Sequence, residues 1–225
     1  MRKKLQNIWF RLFSKRILRK IENDRSYCYG SLEIAMEPGV FHPKYFDSSQ
    51  MLLEWVEANN LDQKNVVEVG CGSGITSLRA AQKGAHVWAI DINRQAVKLI
   101  KENAASNHVS VNALASDLFV AVPKIAFDFV LINPPFYPKN PTTAAEQAWF
   151  CGEGFEYFIR LFEQLKERDI FTGIFMTLSD GCDLEKIQSI AKQQGYLFEL
   201  KGTKKSFFEK NFLFEVLSEE LSERC

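Results

Sequence analysis

Apolar and polar positions alternate in a regular order from residue 66 onward. Val66–Val69 is a short apolar run, followed by a glycine turn and a helical spacing from Ile75 to Lys83. Val87–Ile90, Val109–Leu114 and Phe129–Ile132 repeat the short apolar run, with Ala96, Val97, Ile100 and Ala104 sharing one helix face between two of them. Phe155, Phe158, Ile159, Phe162 and Leu165 mark another amphipathic helix. Ile170–Leu178 reads as a strand, and Asp183–Gln193 as a helix with Leu184, Ile187 and Ile190 inward. Tyr196–Lys201 and Asn211–Leu217 follow with no good helix between them, which predicts an antiparallel pair. Strand–helix alternation predicts an α/β, doubly wound parallel sheet with right-handed crossovers. The seven runs make it seven-stranded, with one antiparallel strand near the C-terminus.

Upstream the pattern is less regular. Asp47 has the look of an N-cap, with Gln50 three residues on as in a capping box, before a helix that buries Met51, Leu52, Trp55 and Val56. Residues 22–46 are mixed, with turns at Tyr29-Gly30 and Pro38-Gly39. Leu5, Ile8, Trp9, Leu12, Phe13, Ile17 and Ile21 lie close to helical spacing. The organisation expected is an arm over 1–30 and one domain over 31–225.

Charge changes the picture of the arm. Net charge is zero, but the first 20 residues hold eight Lys and Arg and no acid, so the rest of the chain is net acidic. A basic amphipathic helix can bind nucleic acid, an anionic membrane surface or an acidic partner, or can pack on the domain with its lysines in water. An arm without acids is also compatible with a targeting segment. Apolar residues at 46% and 19 Phe place the chain among globular proteins. No apolar run reaches the length of a membrane span, and no signal peptide is evident. Five cysteines without a CxxC predict no disulfide framework and a reducing, cytoplasmic setting. Three scattered histidines predict no metal site.

The candidate chemistry lies at the ends of the strands. Gly70, Gly72 and Gly74 of "VVEVGCGSG" let backbone approach a ligand at the carboxyl edge of the sheet. Their G-x-G-x-G spacing is not the G-x-G-x-x-G that closes on a pyrophosphate. Glu68 precedes the turn, and Asp91 ends the second strand, where a carboxylate can accept both ribose hydroxyls. Asp117 in "SDLF" can accept from an adenine amino group, with Ile92 and Leu118 on either side of the ring. These residues describe a pocket for a nucleoside without phosphate, and S-adenosylmethionine is such a ligand. The fourth strand ends in "INPPFYP". Proline has no N–H for the ladder and forces an extended residue before it, so Asn133 is held stiffly at a strand tip. Asn133 and the Pro134 carbonyl can each accept one N–H of a planar –NH2 group, and Phe136 offers a stacking face. Asn133 also borders the cofactor side.

Taken together, "VVEVGCGSG", "AIDINRQAVKLIKENAASN", "SDLF", "DFVLINPPFYP" and "AWFCGEGFEYFIRLF" resemble a class I S-adenosylmethionine-dependent methyltransferase, and within it the HemK-type glutamine methyltransferases of release factors. The resemblance spans about Pro38 to Leu217. It implies a Rossmann-like methyltransferase sheet, S-adenosyl-L-methionine as cofactor, and a protein glutamine as acceptor. It also raises a small activating subunit, since the small eukaryotic HemK-like enzymes act with a zinc-binding partner. Phe136 stands where the glutamine enzymes usually have tyrosine, while phenylalanine there is frequent among rRNA guanine and adenine methyltransferases. Methylation of an exocyclic base amine in RNA or DNA therefore stays open beside the glutamine reading. A nicotinamide oxidoreductase does not suit the glycine spacing and leaves the Asn-Pro-Pro-Phe unexplained. A binding scaffold without activity has no need of Asn133 and Asp91.

Overall fold

The computed structural model describes residues 23–143, 146–205 and 209–219. The amphipathic arm expected from Leu5 to Ile21 lies outside the described residues. The boundary expected at residue 30 falls in the turn of a hairpin. Strand β1 (Ser26–Tyr29) pairs antiparallel with β2 (Leu32–Ala35), with Gly30 at a φ of 56° between them. Ser26–Tyr29 thus belong to the folded body. Two four-residue strands were too short to show a period in the sequence.

The main sheet holds seven strands in the order β5-β4-β3-β6-β7-β9-β8. They are β3 (Asn65–Val69), β4 (His86–Asp91), β5 (Val111–Ala115), β6 (Phe129–Ile132), β7 (Ile174–Ser179), β8 (Tyr196–Lys205) and β9 (Lys210–Ser218). Strands β5, β4, β3, β6 and β7 run parallel, and β9 is antiparallel to both β7 and β8. The expected doubly wound sheet with one antiparallel strand is therefore what the chain forms. Strand β7 starts at Ile174 rather than Ile170, because Gly173 bends the backbone at a φ of 70°.

Five helices flank the sheet among the described residues: α1 (Asp47–Ala58), α2 (Ile75–Gln82), α3 (Arg94–Ser106), α4 (Glu156–Glu167) and α5 (Leu184–Gln193). Asp47 is not the N-cap of α1. Phe46 holds that place with no side-chain cap, and Asp47 is the first helical residue. Its carboxylate still sits at the positive end of the helix dipole. On one face of the sheet Met51, Leu52, Trp55 and Val56 of α1 pack on Leu131 and Phe175. On the other face Phe158, Phe162 and Leu165 of α4 and Ile187 of α5 pack on Val67, Ile90, Val130 and Ile132. Odd and even positions of each strand serve opposite layers, as a sheet covered on both sides requires.

Helix α3 also holds the N-terminal hairpin. Asn103 Oδ1 accepts from Ala35 N at 2.8 Å while its Nδ2 donates to the Ala35 carbonyl at 3.1 Å. Asn107, one turn later, does the same for Glu33 N and O at 2.9 and 2.7 Å. Residues four apart on a helix share a face, and residues two apart on a strand share an edge. Two amides thereby complete the pairing of β2 and fix where the chain leaves it, toward residues 40–46.

A Cβ on Gly173 would stand 2.2 Å from the Asp128 carbonyl, in a left-handed backbone. Gly173→Ala is expected to lower stability by about 2 kcal/mol or more. A urea titration would read this as a lower midpoint at unchanged slope.

Candidate active site

The glycine loop engages most of its own donors. Gly70 N and Cys71 N both donate to the Ile90 carbonyl, at 2.8 and 3.0 Å. Gly74 N donates to the Cys71 carbonyl at 2.8 Å, and Gly72 N donates to Asp91 Oδ2 at 2.9 Å. Four N–H groups that could cradle a phosphate are therefore already satisfied, and "GCGSG" has no Lys or Arg to replace them. The loop suits a ligand without phosphate. A Cβ on Gly70 would meet nothing within 4 Å, so that side of the loop is open. A Cβ on Gly74 would stand 2.3 Å from Ile100, so this glycine serves the packing of α2 on α3.

Glu68 does not face the open side. Its Oε2 accepts from Ser77 N at 2.9 Å and from the Ser77 hydroxyl, and Thr76 bonds it as well. The carboxyl is buried beneath the loop and ties β3 to the first turn of α2. Burial raises its pKa to about 7, against the pull of the Ser77 and Thr76 donors. Asp91 lies at the top of β4, where Oδ1 accepts from Asn93 N at 2.8 Å and the Ile92 backbone adds a further bond. A carboxylate has about four lone-pair positions, so these donors leave acceptor capacity for a hydroxyl at the rim. Burial pushes Asp91 above the usual carboxylate range, offset by these backbone donors.

The side where the sequence suggested an adenine is assembled less tightly. Ile92 projects just past Asp91 with 48% of its surface exposed, and Leu118 is buried in a left-handed conformation at a φ of 52°. Asp117 is half-buried and ion-paired with Arg160 of α4, so one of its oxygens is already engaged. Tyr157 stands close enough to Asp91 and Asp117 for both charges to raise its phenol, after burial as the main cause. Its place two residues after Phe155, in "GEGFEY", gave no sequence signal beyond the helix itself.

The proline break lies beside the loop. Ile132 pairs with Val69 on one side and Met176 on the other, so Asn133 is one register step beyond both. Its Oδ1 accepts from the Thr177 hydroxyl at 3.0 Å, and its Nδ2 donates to Ser49 Oγ of α1 at 3.4 Å. Among the described residues none donates a hydrogen bond to the Pro134 carbonyl. Phe136 is half-buried, with its ring 4.7 Å from that of Tyr137. Tyr137 N donates to the Trp149 carbonyl at 3.0 Å, which draws the segment after the prolines against residues 149–151.

Sequence reasoning missed the roof of the site. Phe41, Phe46 and Trp149 form a three-ring cluster with centroids 4.5–5.3 Å apart. A Cβ on Gly72 would lie 3.8 Å from Phe41, so the cluster stands against the glycine loop. Ser49 and Thr177 were missed too; a hydroxyl in a helix or strand carries no periodic signal. Among the described residues no group of three His, Cys, Asp or Glu side chains is placed to hold a metal, and no helix is long and apolar enough to cross a membrane.

Residues 31–152, more than half of the chain, match the methyltransferase small domain. The chain belongs to the methyltransferase small domain family. A Methanocaldococcus jannaschii protein, provisionally named a protein N5-glutamine methyltransferase, is 41% identical over 110 residues, 48% of this chain and 53% of that protein. The chain thus spans about half, or less, of the length of the curated relatives it matches. Among solved structures, the E. cuniculi Mtq2–Trm112 complex, which methylates the eRF1 termination factor, matches with a TM-score of 0.60 at 16% identity, over 80% of this chain and 99% of that one. The T. thermophilus 16S rRNA N2 G1207 methyltransferase, solved with AdoMet and guanosine, matches with a TM-score of 0.59 at 20% identity, over 84% of this chain and 49% of that one. The recognition of a class I methyltransferase in the sequence agrees with this family and with the fold of these structures. Both structures are too distant in sequence to bear on more than the fold of this methyltransferase small domain.

Glu68 supplies a pH signature of the loop. Its folded pKa lies above the unfolded value, so the folded state binds the proton more tightly. Stability is expected to fall as pH rises from about 4.5 to about 7, by roughly 3 kcal/mol, and to stay level above that. Glu68→Gln keeps an acceptor for Ser77 and should remove this slope. Urea unfolding of both proteins at pH 4.5 and 7.5 measures it; parallel losses in the two would contradict the assignment.

Proposed function

We propose that this chain transfers the methyl group of S-adenosylmethionine to a planar nitrogen, and that the acceptor is a protein glutamine of the release-factor type. One observation carries the reading. The Asn133 carboxamide is locked at the end of β6, one register step from the glycine loop, beside a Pro134 carbonyl to which no described residue donates. The residues around the loop fit the cofactor: four of the loop's five N–H donors are engaged, Asp91 keeps acceptor capacity beyond its backbone donors, and Ile92 presents an exposed apolar face. Gly70, Gly72, Asp91, Ile92, Asp117 and Leu118 are the proposed holding residues, with Glu68 and Gly74 acting through the loop's shape. When bound, the sulfonium supplies an electrophilic methyl group.

The chain's own task is alignment. An amide or exocyclic amino nitrogen has a conjugated lone pair and is a weak nucleophile. The free lone pair of Asn133 Oδ1 accepts one N–H of the acceptor, and the Pro134 carbonyl accepts the other. Two fixed acceptors turn the nitrogen lone pair toward the methyl group and stabilise the positive charge that grows on nitrogen. The methylated nitrogen is acidic and releases its proton to water, so no buried base is required. Phe136 supports the planar group from one side. The Phe41–Phe46–Trp149 cluster, set against Gly72, shields that side of the loop from water.

Support for glutamine comes from the Methanocaldococcus relative at 41% identity and from the helix start "CGEGFEYFIRL". An exocyclic base amine is the second reading, favoured by phenylalanine at 136 and by the basic first 20 residues. The proposed setting is the cytoplasm, and a small activating subunit belongs to the glutamine reading. The test is incubation with tritiated S-adenosylmethionine and a cell lysate, which also supplies any subunit, followed by protease or nuclease. Label released by protease alone, and transferred to a purified release factor, supports glutamine. Label released by nuclease alone overturns it in favour of the base amine.

Three substitutions separate the roles. Asn133→Ala is expected to slow methyl transfer by about 10²–10³ while cofactor affinity stays within about twofold, by analogy with losing one preorganised donor. Asp91→Ala should weaken the cofactor by about 1.5–3 kcal/mol in calorimetry. Phe136→Tyr should leave transfer to a glutamine acceptor nearly unchanged. Single-turnover transfer beside a cofactor titration reads all three, and parental transfer by Asn133→Ala would remove the central role from the tetrapeptide.

A further inference from the structure

We infer that Thr177 is a positioning residue for methyl transfer: its hydroxyl sets which atom of the Asn133 carboxamide faces the acceptor. The inference rests on the role proposed for Asn133. Strand β7 is buried along its whole length, and Thr177 is 0% exposed. Burying a hydroxyl without a partner is costly, and valine has the same shape without that cost. The side-chain partner that the hydroxyl has is Asn133 Oδ1, at 3.0 Å.

The register explains why the two meet. Strand β6 pairs with β7 up to Ile132 opposite Met176. Pro134 and Pro135 stop β6 there, while β7 runs on to Ser179, supported on its far side by β9 through Thr177 opposite Leu213. Asn133 and Thr177 would be the next pair. Both side chains point to the α1 layer, as Leu131 and Phe175 do two residues earlier, and Ser49 of that layer closes the arrangement. Strand pairing has been exchanged for a side-chain bond at this one step.

The bond has a directional consequence. A carboxamide presents an oxygen on one side and an NH2 on the other, and either can turn toward the substrate. A donor held on rigid β7 places Oδ1 on the β7 side and leaves Nδ2 toward Ser49. The second lone pair of Oδ1 is then available to an acceptor N–H. Without the Thr177 donor, the amide can rotate and present its own N–H groups, which repel the acceptor's donors. Thr177 therefore acts on the orientation of the nucleophile and leaves cofactor binding alone.

The test compares Thr177→Val, Thr177→Ser and Ser49→Ala in the full chain. The first readout needs no acceptor: the Asn133 side-chain amide cross-peaks in a proton–nitrogen spectrum, identified by their loss in Asn133→Asp. Thr177→Val should shift and broaden them, and Thr177→Ser should restore the parental positions. The second is single-turnover methyl transfer to a purified peptide release factor. Thr177→Val is expected to lower the rate about 10–100-fold, with acceptor KM and cofactor Kd within about twofold, and Thr177→Ser should recover most of it. Unchanged Asn133 cross-peaks in Thr177→Val would overturn the inference whatever the acceptor. So would a Ser49→Ala rate below that of Thr177→Val, since the amide would then lie the other way round. If Asn133→Ala itself transfers methyl at the parental rate, the proposed function fails. If Asn133→Ala is slow while Thr177→Val is parental, only the role of Thr177 fails.

Discussion

The missing N–H of Pro134 is the constraint on which the carboxyl edge of the sheet depends. Strand β6 cannot extend past Ile132 in register with its neighbours, so the sheet opens at its centre, between the glycine loop after β3 and the continuing strand β7. Asn133 stands in that opening with a side chain bonded to β7 on one side and to α1 on the other. Had β6 run on, the Asn133 and Pro134 backbone would lie within the ladder. The break converts a strand end into a presented amide and a carbonyl free to accept.

Two carboxylates hold the neighbouring loop by different means. Glu68 works from below, buried and bonded to the start of α2, and Asp91 works from the rim through Gly72 N. Four of the loop's five N–H donors are engaged by Ile90, Cys71 and Asp91, so the loop has few to offer a phosphate. Phosphate-binding turns keep those N–H groups free. Where the loop's hydrogen bonds go thus supports the nucleoside reading by an argument independent of glycine spacing. The roof over the loop depends on a third device, the asparagines in α3 and at its C-terminal cap that hold β2 and so direct residues 40–46 across Gly72.

Much of this was legible in the chain itself. Seven short apolar runs, the helical faces between them and the lack of a helix before the last pair determined a doubly wound sheet with one reversed strand, because strands buried on both faces read as continuous apolar runs. The glycine turn, Asp91 and the proline-locked Asn133 were visible because glycine and proline act locally, through φ and the missing N–H. Only the tertiary structure decided the rest. That Glu68 turns under the loop, that Arg160 takes Asp117, that Asp47 lies inside its helix, and that Phe41, Phe46 and Trp149 meet over Gly72 are outcomes of packing between segments distant in sequence. Thr177 shows the division most plainly. A threonine in an apolar strand has no local signature, and its hydroxyl acquires a meaning only where the sheet register brings it opposite an asparagine 44 residues away.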